Sequence, residues 1–346
     1  MVFIFIQIIF KIVHVNILIF TLIFKEVVMK KYVIGIDLGG TKISTALSTF
    51  EGEVVEKVVI PTNAKEGEIP VLNRIIGTIE SVLGQADVKI EEVETIGIGS
   101  PGPLDAKTGV IITTPNLPFK NFNVVKPIRD KFDVPVYLDN DANVATIGEF
   151  MFGAGKGKNN VVYFTVSTGV GGGAVLNGNI YRGNTCNALE IGHMTVAPNG
   201  PRCNCGNVGC LEAVSSGTAI GKRGMEAVAT NVETSLKSYE KITSYEVFKE
   251  AEKGDEVAKE IVENALNYLG IGVANAVTIF DPEVVIIGGG VTQVGDILFN
   301  KVREVVNKRC FKTMAEACEV VPAGLGTDAG VIGAVALAIL ESRNNK

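Results

Sequence analysis

Two stretches of the sequence decide the fold: VIGIDLGGT at residues 33–41 and VYFTVSTGVGGG at residues 162–173. In each, an apolar run leads into a glycine-rich turn and then into a second apolar run. Apolar and β-branched residues followed by glycine predict a strand, a tight hairpin and a second strand. Because this unit recurs ~130 residues later, the sequence predicts two similar domains that face each other across a cleft.

Strands and helices alternate along the rest of the chain. Apolar residues spaced three and four apart predict a helix over Ile69–Leu83. The other predicted helices cover Asn143–Phe152, Gly254–Phe280 (as one or two helices) and Ala329–Ser342, and the predicted strands include Tyr32–Asp37, Lys42–Ser48, Glu53–Ile60, Thr95–Gly99, Val134–Leu138, Val161–Val166 and Val284–Ile287. This alternation predicts an α/β fold with largely parallel sheets, in which ligands bind at the carboxyl ends of the strands.

Length and composition exclude several classes of protein. The chain has 346 residues, about twice the length of a typical domain, which favours two domains. Apolar residues make up 47% and charged residues 20%, which excludes a mainly disordered chain. The net charge is −6 and no basic stripe occurs, so nucleic acid is not expected as a partner.

Residues 1–28 differ from the rest because 21 of these 28 residues are apolar. Three interpretations stay open: an extension upstream of a natural start at Met29, a membrane anchor, and a signal peptide. The stretch is long enough to span a membrane, but it joins the first predicted strand without a linker. A signal peptide fits poorly, because no leading positive charge and no small-residue cleavage site are present. We expect a cytoplasmic protein, anchored to the membrane only if residues 1–28 belong to it.

Three glycine loops, each after an apolar strand, predict a nucleotide site. Glycine turns let several backbone N–H groups converge on a phosphate without side-chain clash. The first loop adds a hydroxyl, a lysine and an acid that can hold hydrated Mg²⁺, and the third offers exposed backbone for a flat adenine. The predicted nucleotide and phosphate ligands are Asp37, Gly39, Gly40, Thr41, Lys42, Thr168, Gly169, Gly171, Gly288, Gly289 and Gly290. None of the loops matches the P-loop or the Rossmann fingerprint.

One histidine and three cysteines predict a metal site. His193 lies ten residues before Cys203, and Cys205 and Cys210 follow within eight residues. This spacing is typical of a tetrahedral Cys₃His zinc site, and four protein ligands indicate a structural role. A disulfide is the alternative, and an acidic chain with a cytosolic composition disfavours it. The remaining cysteines, Cys186, Cys310 and Cys318, are predicted to be buried packing residues.

Asp141 is the acid best placed for chemistry. It follows a predicted strand and Asn140 at the start of a helix, so it is either a helix N-cap or a general base. Phosphoryl transfer needs a base and charge-stabilising groups and little covalent chemistry. Amides and carboxylates can each bridge neighbouring hydroxyls of a sugar. The candidate ligands for such a substrate are Asn116, Asn140, Glu190, His193 and Glu212, with the second ring nitrogen of His193 facing the zinc.

The chain from about Met29 to its end closely resembles the ROK family of bacterial sugar kinases, and among them the glucokinases. Six motifs carry the resemblance: DLGGTK at residues 37–42, SPGP at 100–103, TPNL at 114–117, DNDAN at 139–143, EIGH at 190–193, and the cysteine motif at 203–212 that ends in Glu212. The resemblance implies a duplicated, actin-like (ribonuclease H-like) α/β fold with ATP and Mg²⁺ in the cleft. It also implies transfer of the γ-phosphate to the 6-hydroxyl of D-glucose.

The resemblance further implies roles and boundaries. Asp141 corresponds to the catalytic base, Asn116, Asn140, Glu190, His193 and Glu212 to sugar ligands, and His193, Cys203, Cys205 and Cys210 to zinc ligands. One domain would comprise residues 29–143 and 326–346, and the larger one residues 144–325 with the zinc loop. We expect a homo-oligomer, either a dimer or a tetramer.

Alternative functions differ in substrate or in class. Another hexose could replace glucose, with fructose, mannose, allose and N-acetylated hexosamines as the candidates. The family also includes sugar-responsive transcriptional regulators, but the 28 leading residues are too few and too apolar for a helix-turn-helix. A cytoskeletal actin-like protein would share the fold, and the cysteine loop and the sugar-type polar residues argue against it.

Overall fold

The computed structural model of the chain describes residues 30–114, 116–230 and 232–344. The apolar leader, residues 1–28, lies outside this part of the chain, and its three interpretations stay open. Within the described ranges, no helix is both long and apolar enough to cross a membrane.

The strands form two five-stranded sheets and one small sheet. In chain order they are β1 (Tyr32–Leu38), β2 (Lys42–Thr49), β3 (Val54–Pro61), β4 (Val93–Ser100), β5 (Leu104–Asp105), β6 (Val110–Thr113), β7 (Lys120–Asn123), β8 (Val136–Asn140), β9 (Val161–Val166), β10 (Val170–Leu176), β11 (Asn179–Ile180), β12 (Val284–Gly288) and β13 (Glu319–Pro322).

The helices pack on the faces of these sheets or on one another. They are α1 (Glu68–Ala86), α2 (Val125–Phe132), α3 (Asp141–Phe152), α4 (Leu211–Ser215), α5 (Gly217–Ala229), α6 (Ser244–Glu252), α7 (Glu256–Phe280), α8 (Asp296–Arg309), α9 (Lys312–Ala317) and α10 (Ala329–Asn344).

The two large sheets have the same topology. The first has the order β3-β2-β1-β4-β8, and the second has the order β11-β10-β9-β12-β13. β1 pairs antiparallel with β2 and parallel with β4, which follows helix α1. In the same way, β9 pairs antiparallel with β10 and parallel with β12, which follows helix α7. The internal repeat and the α/β class predicted from the glycine hairpins are therefore confirmed.

Each sheet has its own apolar core. In the first, Ile75 and Ile79 of α1 pack with Ile36 and Ile98 of the sheet. In the second, helices α7 and α8 cover β9 and β12. Separate cores are consistent with two domains, while the boundaries at residues 143 and 325 stay a prediction.

The last helix, α10, returns to the first sheet because two strand residues lack side chains. A Cβ at Gly35 of β1 would lie 2.3 Å from Val335 N, and one at Gly97 of β4 would lie 2.3 Å from Ala334 O. Only glycine permits this approach of a helix backbone to a sheet. The chain end is thereby placed beside the strands that lead to the candidate site.

The segments that connect the two sheets meet at one buried carboxylate. Glu149 of α3 accepts hydrogen bonds from Ala154 N (2.9 Å) and Gly324 N (3.0 Å) through Oε2, and from Leu325 N (2.9 Å) through Oε1. Ala154 precedes the second sheet, and Gly324 and Leu325 leave it. The Glu149 carboxylate therefore ties both connections to the same helix end.

The structure differs from the sequence prediction at several elements. The strand predicted at Val134–Leu138 lies at β8, two residues later, because its pairing with β4 extends to Asn140. The region Gly254–Phe280 forms one helix, α7, whose N-cap Asp255 accepts a hydrogen bond from Ala258 N at 2.8 Å. Helix α6 was not predicted, although Thr243 and Glu246 form the capping box that marks its start.

Candidate functional site

A cavity of about 310 Å³ lies where the end of β8 faces the β9–β10 hairpin. Its walls come from both large sheets and from the loop that follows β11. It is lined by residues 140–143, by Thr165 and residues 167–172, by residues 186–190, and by Glu212. The location agrees with the expectation that ligands bind at the carboxyl ends of the strands.

Asp141 projects into this cavity as the first residue of α3. The helix N-cap is Asn140, whose Oδ1 accepts a hydrogen bond from Ala142 N at 2.9 Å. The N-cap interpretation of Asp141 is therefore wrong, because the preceding residue has that role. The amide Nδ2 of Asn140 remains available, and it lies beside Gly102, where an added Cβ would be 3.2 Å away.

The surroundings of Asp141 favour its protonated form. Asp141 stays accessible to water from the cavity, but the protein atoms around its carboxyl group desolvate it in part, and this raises the pKa of Asp141. A hydrogen bond from Ala142 N, at 2.8 Å, partly offsets the rise. A carboxyl group with a raised pKa that faces a cavity is a candidate for proton transfer.

The first glycine hairpin brings a second acid to the same place. Burial raises the pKa of Asp37, the Asp141 carboxylate raises it further, and Lys42 and Lys57 lower it. The Asp37 carboxyl group lies at the start of α10, where a Cβ added at Gly330 would be 2.5 Å from Oδ2. A carboxyl group whose pKa is raised by a neighbouring carboxylate is a suitable ligand for a divalent cation.

The second glycine hairpin is bound to a predicted sugar ligand. Ser167 N donates to Gly169 O at 2.9 Å, which closes the turn. Glu212 accepts a hydrogen bond from Val170 N at 3.0 Å through Oε2. A Cβ at Gly169 would lie 2.5 Å from that same oxygen. The hairpin and Glu212 are therefore held in one arrangement.

Glu190 belongs to the same group of acids. Burial is the main cause that raises the pKa of Glu190; His193 lowers it, and Asp141 and Glu212 raise it. Asp141, Glu190 and Glu212 all line the cavity. With Asn140, which also lines the cavity, the structure thus brings together four of the predicted catalytic and sugar-binding residues with the hairpin at Thr168 and Gly169.

Asn116 and His193 lie at the margin of this group. Neither is among the residues that line the cavity. Asn116 is exposed and packs on the first hairpin, where a Cβ at Gly40 would be 2.6 Å from the Asn116 Cβ. His193 Nδ1 lies 3.7 Å from Cys203 Sγ, which leaves Nε2 as the nitrogen that could reach a substrate.

A second cavity, of about 420 Å³, shares Ser167 and Thr168 with the first. Gly290 lines it, but Gly288 and Gly289 do not. Those two glycines allow close packing instead, because a Cβ at Gly288 would be 2.6 Å from Tyr163 Oη and one at Gly289 would be 2.4 Å from Val166 O. The third glycine loop therefore contributes one of its three glycines to the second cavity.

Several residues of this second cavity were not predicted from the sequence. Gly217, Met225, Ile242 and Ser244 line it together with Gly290. The sequence does mark the position of Gly217, because the serine before it is a typical helix N-cap. In the structure Ser216 caps α5, and its side chain accepts a hydrogen bond from Ala219 N at 3.1 Å. Met225 and Ile242 carry no local signal, since only the packing of α5 and α6 brings them together.

The predicted metal ligands form a compact cluster. One ligand atom from each of His193, Cys203, Cys205 and Cys210 lies within 4.8 Å of the others. The Sγ atoms of Cys205 and Cys210 are 3.7 Å apart, close to the edge of about 3.8 Å that Zn–S bonds of about 2.3 Å give in a tetrahedron. The donor set and its spacing fit zinc.

Hydrogen bonding and burial act differently on two of these thiols. A hydrogen bond from the Asn207 backbone lowers the pKa of Cys205. Burial raises the pKa of Cys210 to about 12, so a metal ion is what would hold that thiol as a thiolate. Among the other cysteines, Cys186 is buried as predicted, but Cys310 and Cys318 are only half-buried.

The chain belongs to the ROK family, whose family model matches residues 33–341. It is 38% identical to a glucokinase of Halalkalibacterium halodurans over 308 residues, which cover 88% of this chain and 93% of that protein. It is also 33% identical to a xylose repressor of Caldicellulosiruptor bescii over 310 residues, which cover 89% of this chain and 78% of the repressor.

Solved structures agree with the fold. The ROK hexokinase of Thermus thermophilus superposes with a TM-score of 0.78 at 37% identity and covers 90% of this chain and 99% of its own. A ROK glucokinase of Streptomyces griseus, solved with glucose and AMPPNP, gives a TM-score of 0.71 at 29% identity, with 89% and 99% covered. The protein has the duplicated, actin-like fold predicted for it.

Proposed function

We propose that the protein is an ATP-dependent hexose kinase that transfers the γ-phosphoryl group of ATP to the 6-hydroxyl of D-glucose. The observation that carries the proposal is one cavity that holds Asp141, the carboxylates of Glu190 and Glu212, and the hairpin at Thr168 and Gly169. A glucokinase relative and the ROK glucokinase structure with glucose and AMPPNP support glucose and ATP as the substrates.

Asp141 is the proposed general base. Its raised pKa brings the carboxylate closer to the basicity that suits proton transfer at neutral pH. The proton of the 6-hydroxyl passes to Asp141 as the sugar oxygen bonds to phosphorus and the bond to the leaving ADP oxygen breaks. The sugar ligands are Asn116, Asn140, Glu190, His193 and Glu212. Holding several hydroxyls at once orients the sugar and accounts for much of such a rate enhancement.

The nucleotide would extend from the second cavity to the first. Gly290 and Gly217 offer bare backbone for the adenine. The phosphates would follow Ser167, Thr168 and Gly169 toward the first hairpin, whose proposed ligands are Gly39, Gly40, Thr41 and Lys42. Asp37 would hold Mg²⁺, which supplies charge neutralisation of the phosphates when bound.

The zinc site has a proposed structural role. His193, Cys203, Cys205 and Cys210 would hold the ion, and α4 begins directly after Cys210 with Glu212 in its first turn. Zinc binding would therefore fix both Glu212 and Nε2 of His193 relative to the cavity. We propose one zinc ion per chain.

Two more predictions from the sequence are carried as proposals. Residues 29–143 with 326–346 form one domain and residues 144–325 the other, and limited proteolysis is expected to cut first at the connections between them. The chain assembles as a dimer or a tetramer, which light scattering of the purified protein will distinguish from a monomer.

The function is tested with purified protein, ATP and a panel of hexoses in a coupled ADP assay. Glucose is expected to give the highest kcat/KM, with formation of glucose 6-phosphate and dependence on Mg²⁺. An order of magnitude higher kcat/KM with fructose, mannose, allose or an N-acetylhexosamine would reassign the substrate. Absence of ADP formation with every hexose, in protein that binds glucose, would instead favour a sugar-responsive regulator.

A further inference from the structure

One arginine joins two carboxylates that lie far apart in the sequence. Arg182 Nε donates to Asp139 Oδ2 at 2.6 Å, and Arg182 Nη2 donates to Glu341 Oε1 at 2.7 Å. The Asp139 side chain is 0% exposed, that of Glu341 16% and that of Arg182 26%. A fully buried carboxylate needs a cation and hydrogen bonds to remain charged. Arg182 supplies the cation through the fork geometry that only arginine has.

The same buried carboxylate also holds the backbone around the candidate base. Asp139 Oδ1 accepts hydrogen bonds from Asn140 N at 2.8 Å and from Asn143 Nδ2 at 2.8 Å. These two residues stand on either side of Asp141 and Ala142. The orientation of the Asp139 carboxylate therefore fixes the end of β8 and the first turn of α3, from which Asp141 projects.

Arg182 also begins the loop that forms the opposite wall of the cavity. Its carbonyl accepts a hydrogen bond from Ala188 N at 3.2 Å, which closes the loop. Within the loop, Cys186 and Leu189 have positive φ angles of 60° and 65°, a backbone region that residues other than glycine rarely adopt. Such backbone persists only where the surroundings hold it in place. Glu190 follows directly, so the loop conformation sets the position of a proposed sugar ligand.

We propose that Arg182 is a positioning residue for phosphoryl transfer: its contact with Asp139 holds the strand end that carries Asp141 in register with the loop that carries Glu190. The inference rests on the proposed kinase function and adds a residue to it. β8 belongs to the first large sheet and the strand before Arg182 to the second. The Arg182–Asp139 pair is thus a direct link between the two walls that must enclose the sugar.

A shift of one wall against the other would misplace the base relative to the reacting hydroxyl. A misplacement of ~1 Å can lower a reaction rate by ~10²-fold without touching a catalytic group. Glu341, on α10, limits the position of the guanidinium from the other side. Arg182 acts in this account through Asp139, and it does not contact the substrate.

The test compares Arg182→Lys with wild type in the coupled ADP assay. Lysine keeps the charge but cannot donate to Asp139 and Glu341 through a planar fork. We expect kcat to fall ~10-fold or more and the glucose KM to rise ~10-fold, while the KM for ATP stays within ~2-fold. The matched control is Lys158→Gln, which breaks the exposed ion pair with Glu319 (2.9 Å) and should leave all three constants unchanged.

A double-mutant cycle with Asp139→Asn separates positioning from a general loss of stability. If both residues act through their contact, the kcat of the double variant is at most ~3-fold below the kcat of the less active single variant. If the loss of kcat in the double variant equals the product of the two single-variant losses, the two residues act independently and the proposal is overturned. It is also overturned if folded Arg182→Lys retains the wild-type kcat and glucose KM, or if its only defect is a lower Tm.

If Arg182→Lys fails to fold, Glu341→Gln tests the inference instead, because it weakens the contact of Glu341 with the Arg182 guanidinium. A glucose KM raised ~3-fold at an unchanged ATP KM supports the inference, and wild-type constants overturn it. Failure of the proposed function is distinguishable, since in that case wild-type protein itself forms no ADP with any hexose.

Discussion

The two glycine hairpins occupy equivalent places in two sheets of the same topology, yet they differ in chemistry. The first follows Asp37, whose carboxyl group interacts with Asp141, and it packs on the backbone and Cβ of Asn116. The second packs on Glu212 and binds its carboxylate through Val170 N. The duplicated scaffold thus places Asp37 and Asp141 on the side of the first sheet, and the Glu212 carboxylate on the side of the second.

This comparison assigns different kinetic constants to the two sides. In the proposed reaction, Asp37 and Asp141 on the side of the first sheet should govern turnover, because they would face Mg²⁺ and the reacting hydroxyl. Glu190, Glu212 and the proposed zinc loop on the side of the second sheet should govern the affinity for the sugar. Substitutions on the first side should therefore change mainly kcat, and substitutions on the second side mainly the glucose KM.

Asp141→Asn removes the base on the side of the first sheet. We expect kcat to fall by at least ~10², the size of a typical general-base contribution, with glucose binding largely retained. Calorimetric titration of glucose and the coupled ADP assay measure the two effects. The control is Asp133→Asn, an exposed residue in a left-handed conformation that asparagine also adopts. A variant that keeps most of its turnover would remove Asp141 from the mechanism.

The pH dependence of the wild type adds to this test. A base must be deprotonated to act, and the pKa of Asp141 is raised by burial. The acid limb of the kcat profile should therefore lie above the ordinary aspartate pKa of about 3.9. An acid limb at or below that value would contradict the assignment.

Cys205→Ser tests the zinc loop on the side of the second sheet. We expect elemental analysis to find one zinc ion in the wild-type chain and far less in the variant. The glucose KM should rise ~10–100-fold, as for other losses of support around a metal site, with a smaller effect on kcat. The control is Cys318→Ser, at a half-buried cysteine outside the cluster. Metal-free protein with a normal glucose KM would break the comparison.

A matched pair of alanine substitutions compares the hairpins directly. Gly40→Ala meets the Asn116 backbone O at 2.8 Å, whereas Gly169→Ala meets only the end of the Glu212 side chain, which can move. We expect kcat/KM for glucose to fall ~10-fold or more for Gly40→Ala and ~3-fold for Gly169→Ala, the latter through KM. Gly77→Ala, in α1 with no atom within 4 Å, is the control. If Gly169→Ala lowers kcat/KM more than Gly40→Ala does, the Glu212 side chain yields to an added methyl group less readily than the Asn116 backbone.

The smallest expected effect concerns stability. Because the folded state raises the pKa of Asp141, it binds more protons than the unfolded state between about 3.9 and the raised value, and stability falls as pH rises through that window. Asp141→Asn lacks this penalty and should be more stable than wild type at pH 7. Urea denaturation should show the gain shrinking as pH falls toward 3.9. A less stable variant at pH 7 would contradict burial as the cause of the shift.

The sequence by itself determined the repeated strand–hairpin–strand unit, the α/β class and the types of residue at the site. These features are local, since a turn needs its glycines and a strand its apolar residues within a few positions. The His193 and cysteine spacing likewise predicted a cluster that the structure assembles. Local chemistry also marked Asn140 and Asp141, although it did not show which of them caps the helix.

Only the tertiary structure decided which residues meet. Gly290 lines the second cavity while Gly288 and Gly289 allow close packing, and nothing in the glycine run distinguishes them. The contacts of Asp37 with Asp141 and of Arg182 with Asp139 join positions 104 and 43 residues apart. The first interaction depends on the strand order within one sheet, and the contact of Arg182 with Asp139 depends on how the two sheets are placed relative to each other. Burial of whole faces, rather than local preference, fixes both.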